Sequence, residues 1–536
     1  MRNSQNVKHL KVIEDAVMEC AKAKGRTLPE VRFFVLSAEE FLCLLEKGVY
    51  PKSPPNLWEG QEIKKRKQKV REGEESSIYY EVVQTGDPSY AYLNHTNSDT
   101  IQASVMAHVV GHCEFSEINV LKDTDKYRTE YALYLTRKCE YSRQVMGYHN
   151  YFNFWNDCKS MVNFVYPNSR FNLENSVETE SNSLCKSVIT SKDVEDDVFL
   201  PFSSTIGEMF NKKNTVKMVE EFNKKKDEKE SINRTGYSLK RPCQDIFGFL
   251  NRHAPLSESE TNIMDYLYFV HKHYSFIRNT QIMNEGWAMY WEKEIMEEMF
   301  SQKVVNGIIG HCKTTSGVMY PRPFWQRNPY HLGFHMWHSI KKEYEEGKIT
   351  SLYRNEKNLD DKITWNKKPE GDSLKFLENI VKTTTDYGFL KRFLTKERVN
   401  EFHLNRIPKR MEIEFPPELV IKEDKHCQWV DEKYVKDYML NVFVDWGQPQ
   451  IYLVNADYNN GGLLMFHKHH GKDLKEVWIK PTLKNLARIW RNDCYIVSNG
   501  VMYSMRGKSY NTQKIDVNYT FEDIDDMMKE GKKVIL

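Results

Sequence analysis

The 536-residue sequence lacks the short signatures that announce many chemistries. Its ten cysteines never form a C-x-x-C pair, which argues against a zinc ribbon or a thioredoxin-like redox site. No uninterrupted apolar run approaches the roughly 18–20 residues of a membrane span. Met1-Arg2-Asn3 leads into a charged stretch with Lys11, Glu14, Asp15 and Glu19, not into the apolar centre of a signal peptide. Neither sign of charge dominates: 77 basic residues face 75 acidic ones, for a net charge of +2. A nucleic-acid partner usually calls for a basic surplus, and none is present. There is no P-loop, no G-x-G-x-x-G after a strand and no G-x-S-x-G elbow. These absences predict a soluble cytoplasmic protein with scattered free thiols, without a membrane span, a nucleic-acid partner or a nucleotide site.

What is present is ample material for a core. Apolar residues make up 40% of the chain and aromatics 13%, too much for a disordered chain. The length predicts two or three units. The expected fold class is α+β: a mainly helical N-terminal and central region with a small mixed α+β C-terminal domain. Composition suggests four consecutive segments. Residues 1–167 form an N-terminal α+β part, and 168–240 a charged linker or insertion with a solvated block at 223–230. Residues 241–400 form a helical part and 401–536 the C-terminal domain. Apolar periodicity predicts helices over 8–24, 98–118, 125–146, 260–275 and 284–300. Another starts at Asn328-Pro329-Tyr330, where asparagine caps and proline takes the first helical position, and runs to about residue 345. Strands are expected at Val31–Leu36, 79–83, 442–446, 451–454, 463–467, 495–497 and 501–505, with a helix over 474–490. Residues 51–76 read as irregular and exposed.

The most informative stretch is Met106-Ala107-His108-Val109-Val110-Gly111-His112-Cys113-Glu114-Phe115. On a helix His108 and His112 share one face, one turn apart. Neutral imidazole is the commonest zinc ligand, and two at this spacing can share an ion. Two core histidines satisfied by hydrogen bonds would produce the same spacing. The second stretch is Gln281-Ile282-Met283-Asn284-Glu285-Gly286-Trp287-Ala288, opening an aromatic-rich helix. A carboxylate in such company is costly unless it is paired or binds a cation, and Asn284 is placed to orient it. Glutamate-zinc peptidases combine a histidine pair with a distant glutamate in a similar N-E-G-x-A stretch. By that analogy His108, His112 and Glu285 hold one divalent metal, zinc foremost, with an open fourth position. In those peptidases a water-activating glutamate follows the first histidine; here that position is Val109. Glu114 and Glu292 are the candidate acid/base groups, and Glu292 falls two turns beyond Glu285 on the same helical face. His331, His335 and His338 read as a wet helix face. His467, His469 and His470 accompany a C-terminal strand.

Together these segments resemble the SpoVR family (stage V sporulation protein R) over nearly the whole chain. Ala91-Tyr92-Leu93 with Gln102-Ala103 and Met106 to Phe115 resembles the family's first signature, Gln281 to Ala288 its second, and Asn328-Pro329-Tyr330-His331-Leu332-Gly333 its third. The Ala254-Pro255-Leu256 turn and the C-terminal α+β region fit as well. The chain departs from the family pattern at Glu292, where a histidine is common, and after the histidine pair, where it reads Phe115-Ser116-Glu117-Ile118-Asn119. The resemblance implies a role in sporulation through formation of the spore cortex, or in a stress response beside a serine kinase of the PrkA type or cell-wall hydrolases. Two function classes stay open: a metal-dependent hydrolase acting on a peptide or peptidoglycan-like bond, and a metal-stabilised regulatory scaffold that binds such partners without catalysis.

Overall fold

The computed structural model describes residues 5–37, 40, 81–122, 128–166, 239–365, 367–445, 448–469, 471–515, 519–532 and 534. The expected irregular stretch 51–76, nearly all of the charged segment 168–240, and His470 lie outside them. The fold is α+β and mainly helical. The chain divides into two compact units, each assembled from separated stretches: Met1–Lys126 with Phe276–Gly447, and Tyr127–Ser275 with Gln448–Leu536. This interleaving differs from the four consecutive segments that composition suggests. Composition changes along the chain do not record which distant stretches pack together.

In the first unit, β1 (Val31–Leu36), β2 (Glu81–Gln84) and β3 (Ser89–Asn94) form a sheet in the order β1-β3-β2. β1 runs parallel to β3 and β2 antiparallel to it. Ala91 and Leu93 of β3 join a core with Ala103, Ala107 and Val110 of the helix Asp99–Ile118, called here the histidine helix. Ser98 caps that helix by accepting the Ile101 N–H. The helix is buried almost all round from Gln102 to Phe115, which fits its apolar run.

A single long helix, Glu258–Ser301, replaces the two expected over 260–275 and 284–300. No glycine or proline stands between Ser275 and Asn284 to stop it. The helix Pro329–Glu345 begins as the sequence predicts, with the Asn328 side chain accepting the Tyr330 N–H at 3.1 Å. Backbones touch where these helices cross. A Cβ on Gly286 would lie 2.2 Å from the Gly333 carbonyl carbon, and one on Gly333 only 2.1 Å from the Ile282 oxygen. A Cβ on Gly111 would meet the Ala288 Cα at 2.7 Å. These glycines let the histidine helix and the Pro329–Glu345 helix lie against the segment carrying Glu285.

The expected strand at 442–446 is corrected: residues up to Asp445 end the helix Glu432–Asp445. A short apolar run does not separate strand from buried helix. The discriminating signal is Val435, Met439 and Phe443, buried at four-residue spacing. The first unit also holds a small sheet of β4 (Arg406–Pro408), β5 (Val420–Glu423) and β6 (Cys427–Val430) in the order β4-β6-β5.

The second unit is built on β7 (Ile451–Tyr458), β8 (Gly462–His467), β9 (Cys494–Ser498), β10 (Val501–Arg506) and β11 (Ser509–Lys514), in the order β11-β10-β9-β8-β7. The four strands expected between 451 and 505 all fall within it. The helix Glu476–Trp490 packs on β9 and β10 and is tied to the helix Tyr148–Ser160 by Arg488–Asp157 at 3.1 Å and Asn485–Ser160 at 2.8 Å. Among the described residues no helix is long and apolar enough to cross a membrane.

Candidate metal centre

The histidine helix and the long helix bring His108, His112 and Glu285 together. One ligand atom from each lies within 4.8 Å of the others. The Glu285 Oε2 atom is 3.7 Å from His108 Nε2 and 3.4 Å from His112 Nε2. Donors at tetrahedral angles around a zinc ion, with bonds near 2.0–2.1 Å, stand roughly 3.3–3.5 Å apart. The two histidine–glutamate distances lie close to that spacing, so the three side chains could hold one small cation.

The far side of each ring is fixed as well. His108 Nδ1 is 2.9 Å from Glu292 Oε2, and His112 Nδ1 is 2.9 Å from Asn284 Oδ1. With Nδ1–H donated to these oxygens, both Nε2 lone pairs face Glu285, the arrangement a metal requires of its histidines. Glu292 is itself held by the Ser104 hydroxyl, which also lies 3.3 Å from His311 Nδ1. Glu285 Oε2 is buried and has no hydrogen-bond partner, an unmet demand that a cation would satisfy. The centre still reaches solvent, since 12% of the His112 side chain and 20% of Glu285 remain exposed.

Without an ion, a proton on His108 balances the carboxylates around it. Burial opposes the imidazolium of His108, but the neighbouring Glu285 and Glu292 carboxylates outweigh this and raise its pKa to about 10. Burial likewise opposes the Glu285 carboxylate, yet the neighbouring His112 and His108 rings hold it well below the usual carboxylate range. Glu81, at the start of β2, belongs to the same field: burial pushes its pKa up, while His108 and His112 draw it down. Two imidazoles thus lie in the field of three carboxylates, an imbalance that favours a cation. Tyr330, opening the Pro329–Glu345 helix, sets its ring tilted at 6.0 Å from that of His108 and lies in the field of Glu285. Burial and the neighbouring carboxylates push its pKa up, so it keeps its proton.

Of the six site residues the sequence suggests, five converge here: His108, His112, Asn284, Glu285 and Glu292. Glu292 reaches the site through its hydrogen bond with His108 Nδ1. Glu114 points elsewhere, because two residues past His112 is about 200° around a helix. Its carboxylate is buried against Arg26 and accepts the Trp287 Nε1–H at 3.1 Å. Sequence reasoning missed Glu81 and Tyr330. The N-P-Y segment already marked Tyr330 as a residue of interest; nothing local marked Glu81. The triple on the Pro329–Glu345 helix is no wet face. His331 is buried, and burial lowers the pKa of His331 and His338 to about 4, leaving both neutral.

The family model described as "SpoVR like protein" matches residues 4–442. The match stops short of β7–β11, a narrower reach than the resemblance into the C-terminal region. A protein of Escherichia coli (strain K12) titled "Uncharacterized protein YcgB" is 21% identical over 472 residues, covering 86% of each chain. No solved structure matches.

Proposed function

This chain belongs to the SpoVR family, and from its site we propose a mononuclear zinc centre, held by His108, His112 and Glu285, that hydrolyses an amide bond in a peptide or peptidoglycan-like substrate. The observation that carries this reading is the double fixation of the histidines. Glu292 and Asn284 engage both Nδ1 atoms, while both Nε2 atoms converge on one otherwise unpartnered carboxylate oxygen. Zinc in such a site supplies Lewis acidity and lowers the pKa of water to about 7. The residues around it do the rest. Asn284 and Glu292 set the tautomers of the two rings. Tyr330 keeps a hydroxyl proton beside Glu285, where it serves as donor to negative charge growing on a substrate oxygen. The partial exposure of Glu285 and His112 leaves a substrate a way in.

The setting we propose is the one that the family name carries: sporulation, through the spore cortex, or a stress response with partners such as a PrkA-type kinase or cell-wall hydrolases. The reading predicts turnover of muropeptide or short peptide substrates that stops on chelation and returns on adding Zn²⁺. Turnover indifferent to chelation would count against it. One observation favours a second reading, a metal-stabilised scaffold without catalysis: Val109, buried and apolar, stands where related peptidase helices carry their base. On that reading, partner capture persists in variants that have lost every trace of turnover.

A further inference from the structure

We propose that Glu81 is the general base of this centre, supplied by a strand and not by the histidine helix. The inference rests on the metal-centre reading above. Its first support is register. Glu81 on β2 stands opposite Leu93 on β3, and Val83 stands opposite Ala91. Directly opposed residues of an antiparallel pair share one face of the sheet. Leu93, Ala91 and Val83 on that face all pack into the core formed with the histidine helix. Glu81 is therefore a carboxylate on the apolar face turned towards the helix of His108 and His112.

The second support is its company. The charged groups whose field reaches it are His108 and His112 from the histidine helix and Glu285 and Glu292 from the long helix, and Tyr330 of the Pro329–Glu345 helix feels its charge too. The third is elimination. Glu285 is a ligand candidate, Glu292 is engaged by His108 and Ser104, and Glu114 is locked to Arg26 and Trp287. No hydrogen bond or ion pair among the described residues engages the Glu81 carboxylate, so it alone of these four is free to take a proton. Burial raises its proton affinity, as a base working near neutrality needs.

The step balances as follows. The oxygen of a water in the open position bonds to the substrate carbonyl carbon as one of its protons passes to the Glu81 carboxylate. The C–N bond then breaks, and Glu81 returns that proton to the leaving nitrogen. A carboxylic acid and an amine are released with Glu81 again ionised.

The test uses the full chain loaded with Co²⁺, whose visible absorption reports both metal binding and the binding of acetohydroxamic acid. A hydroxamic acid chelates such an ion and hands its proton to a neighbouring carboxylate, so its affinity reads out the base without any substrate. Glu81→Gln should hold Co²⁺ within about threefold of the wild type and bind acetohydroxamic acid about tenfold more weakly or worse. Glu81→Asp, which keeps the carboxylate, should lie between. Equal hydroxamate affinity in wild type and Glu81→Gln overturns the assignment. So does a loss of Co²⁺ affinity as large as that of His112→Ala, which would make Glu81 a ligand. Failure of the wild type to bind Co²⁺ at all is a separate outcome that removes the underlying metal-centre reading.

Discussion

His108 and His112 are each held at Nδ1, by Glu292 and Asn284, and turn Nε2 towards Glu285, all three partners standing on one helix. Partners that orient a ligand histidine typically contribute 10–100-fold to metal affinity. Glu292→Gln and Asn284→Ala are therefore expected to weaken zinc about 10–100-fold in competition with a chromophoric chelator, with circular dichroism unchanged. Affinity equal to wild type in both would mean that the rings are oriented by packing alone. At this scale much is legible in the sequence. Imidazoles four apart define one helix face, and a glutamate among Trp287, Tyr290 and Trp291 needs a partner. Glu114 was misread because proximity in sequence was given more weight than helical phase. Glu81 was illegible, since its relation to the histidines depends on a strand register that no local pattern announces.

At the scale of elements, the centre depends on how closely helix backbones approach. Gly286 and Gly333 meet with no room for a side chain between them, and Gly111 does the same against Ala288. The Asp386 carboxylate accepts the N–H groups of Ile282 and Met283 at 2.8 and 2.9 Å, just before Asn284 and Glu285. Trp337 Nε1–H donates to the Met283 oxygen at 3.1 Å. The glycines of the N-E-G-W-A and N-P-Y-x-L-G segments are thus packing residues that set where their neighbours point. Gly286→Ala should destabilise the protein by more than about 3 kcal/mol, because both facing atoms are backbone and cannot rotate away. The apparent unfolding midpoint by circular dichroism should fall accordingly, and an unchanged midpoint would contradict the close approach. The capped start at Asn328 was readable because its signal is local. The extent of the long helix was not, because polar residues between its two apolar stretches look like a break although nothing there stops a helix.

At the scale of the whole chain, the two units interleave, and that is the feature a linear reading could not supply. The α+β class and the strands of the second unit follow from short apolar runs rich in β-branched and aromatic residues, bounded by polar turns, which are local and survive in any single sequence. The return of residues 276–447 to join 1–126 leaves no such mark. Yet it is this return that puts Glu285 beside a histidine pair some 170 positions upstream. Among the described residues one cluster of histidine, cysteine and carboxylate groups has the spacing to hold an ion. On the proposed metal centre, the expected stoichiometry is about one divalent ion per chain.

The most direct test is the metal content of the purified full chain, measured by elemental mass spectrometry beside His108→Ala, His112→Ala and Glu285→Gln. The account predicts close to one zinc per wild-type chain, and in each variant an ion that is lost or removed by far milder chelation. Equal metal content and equal resistance to chelation in all four proteins would contradict it.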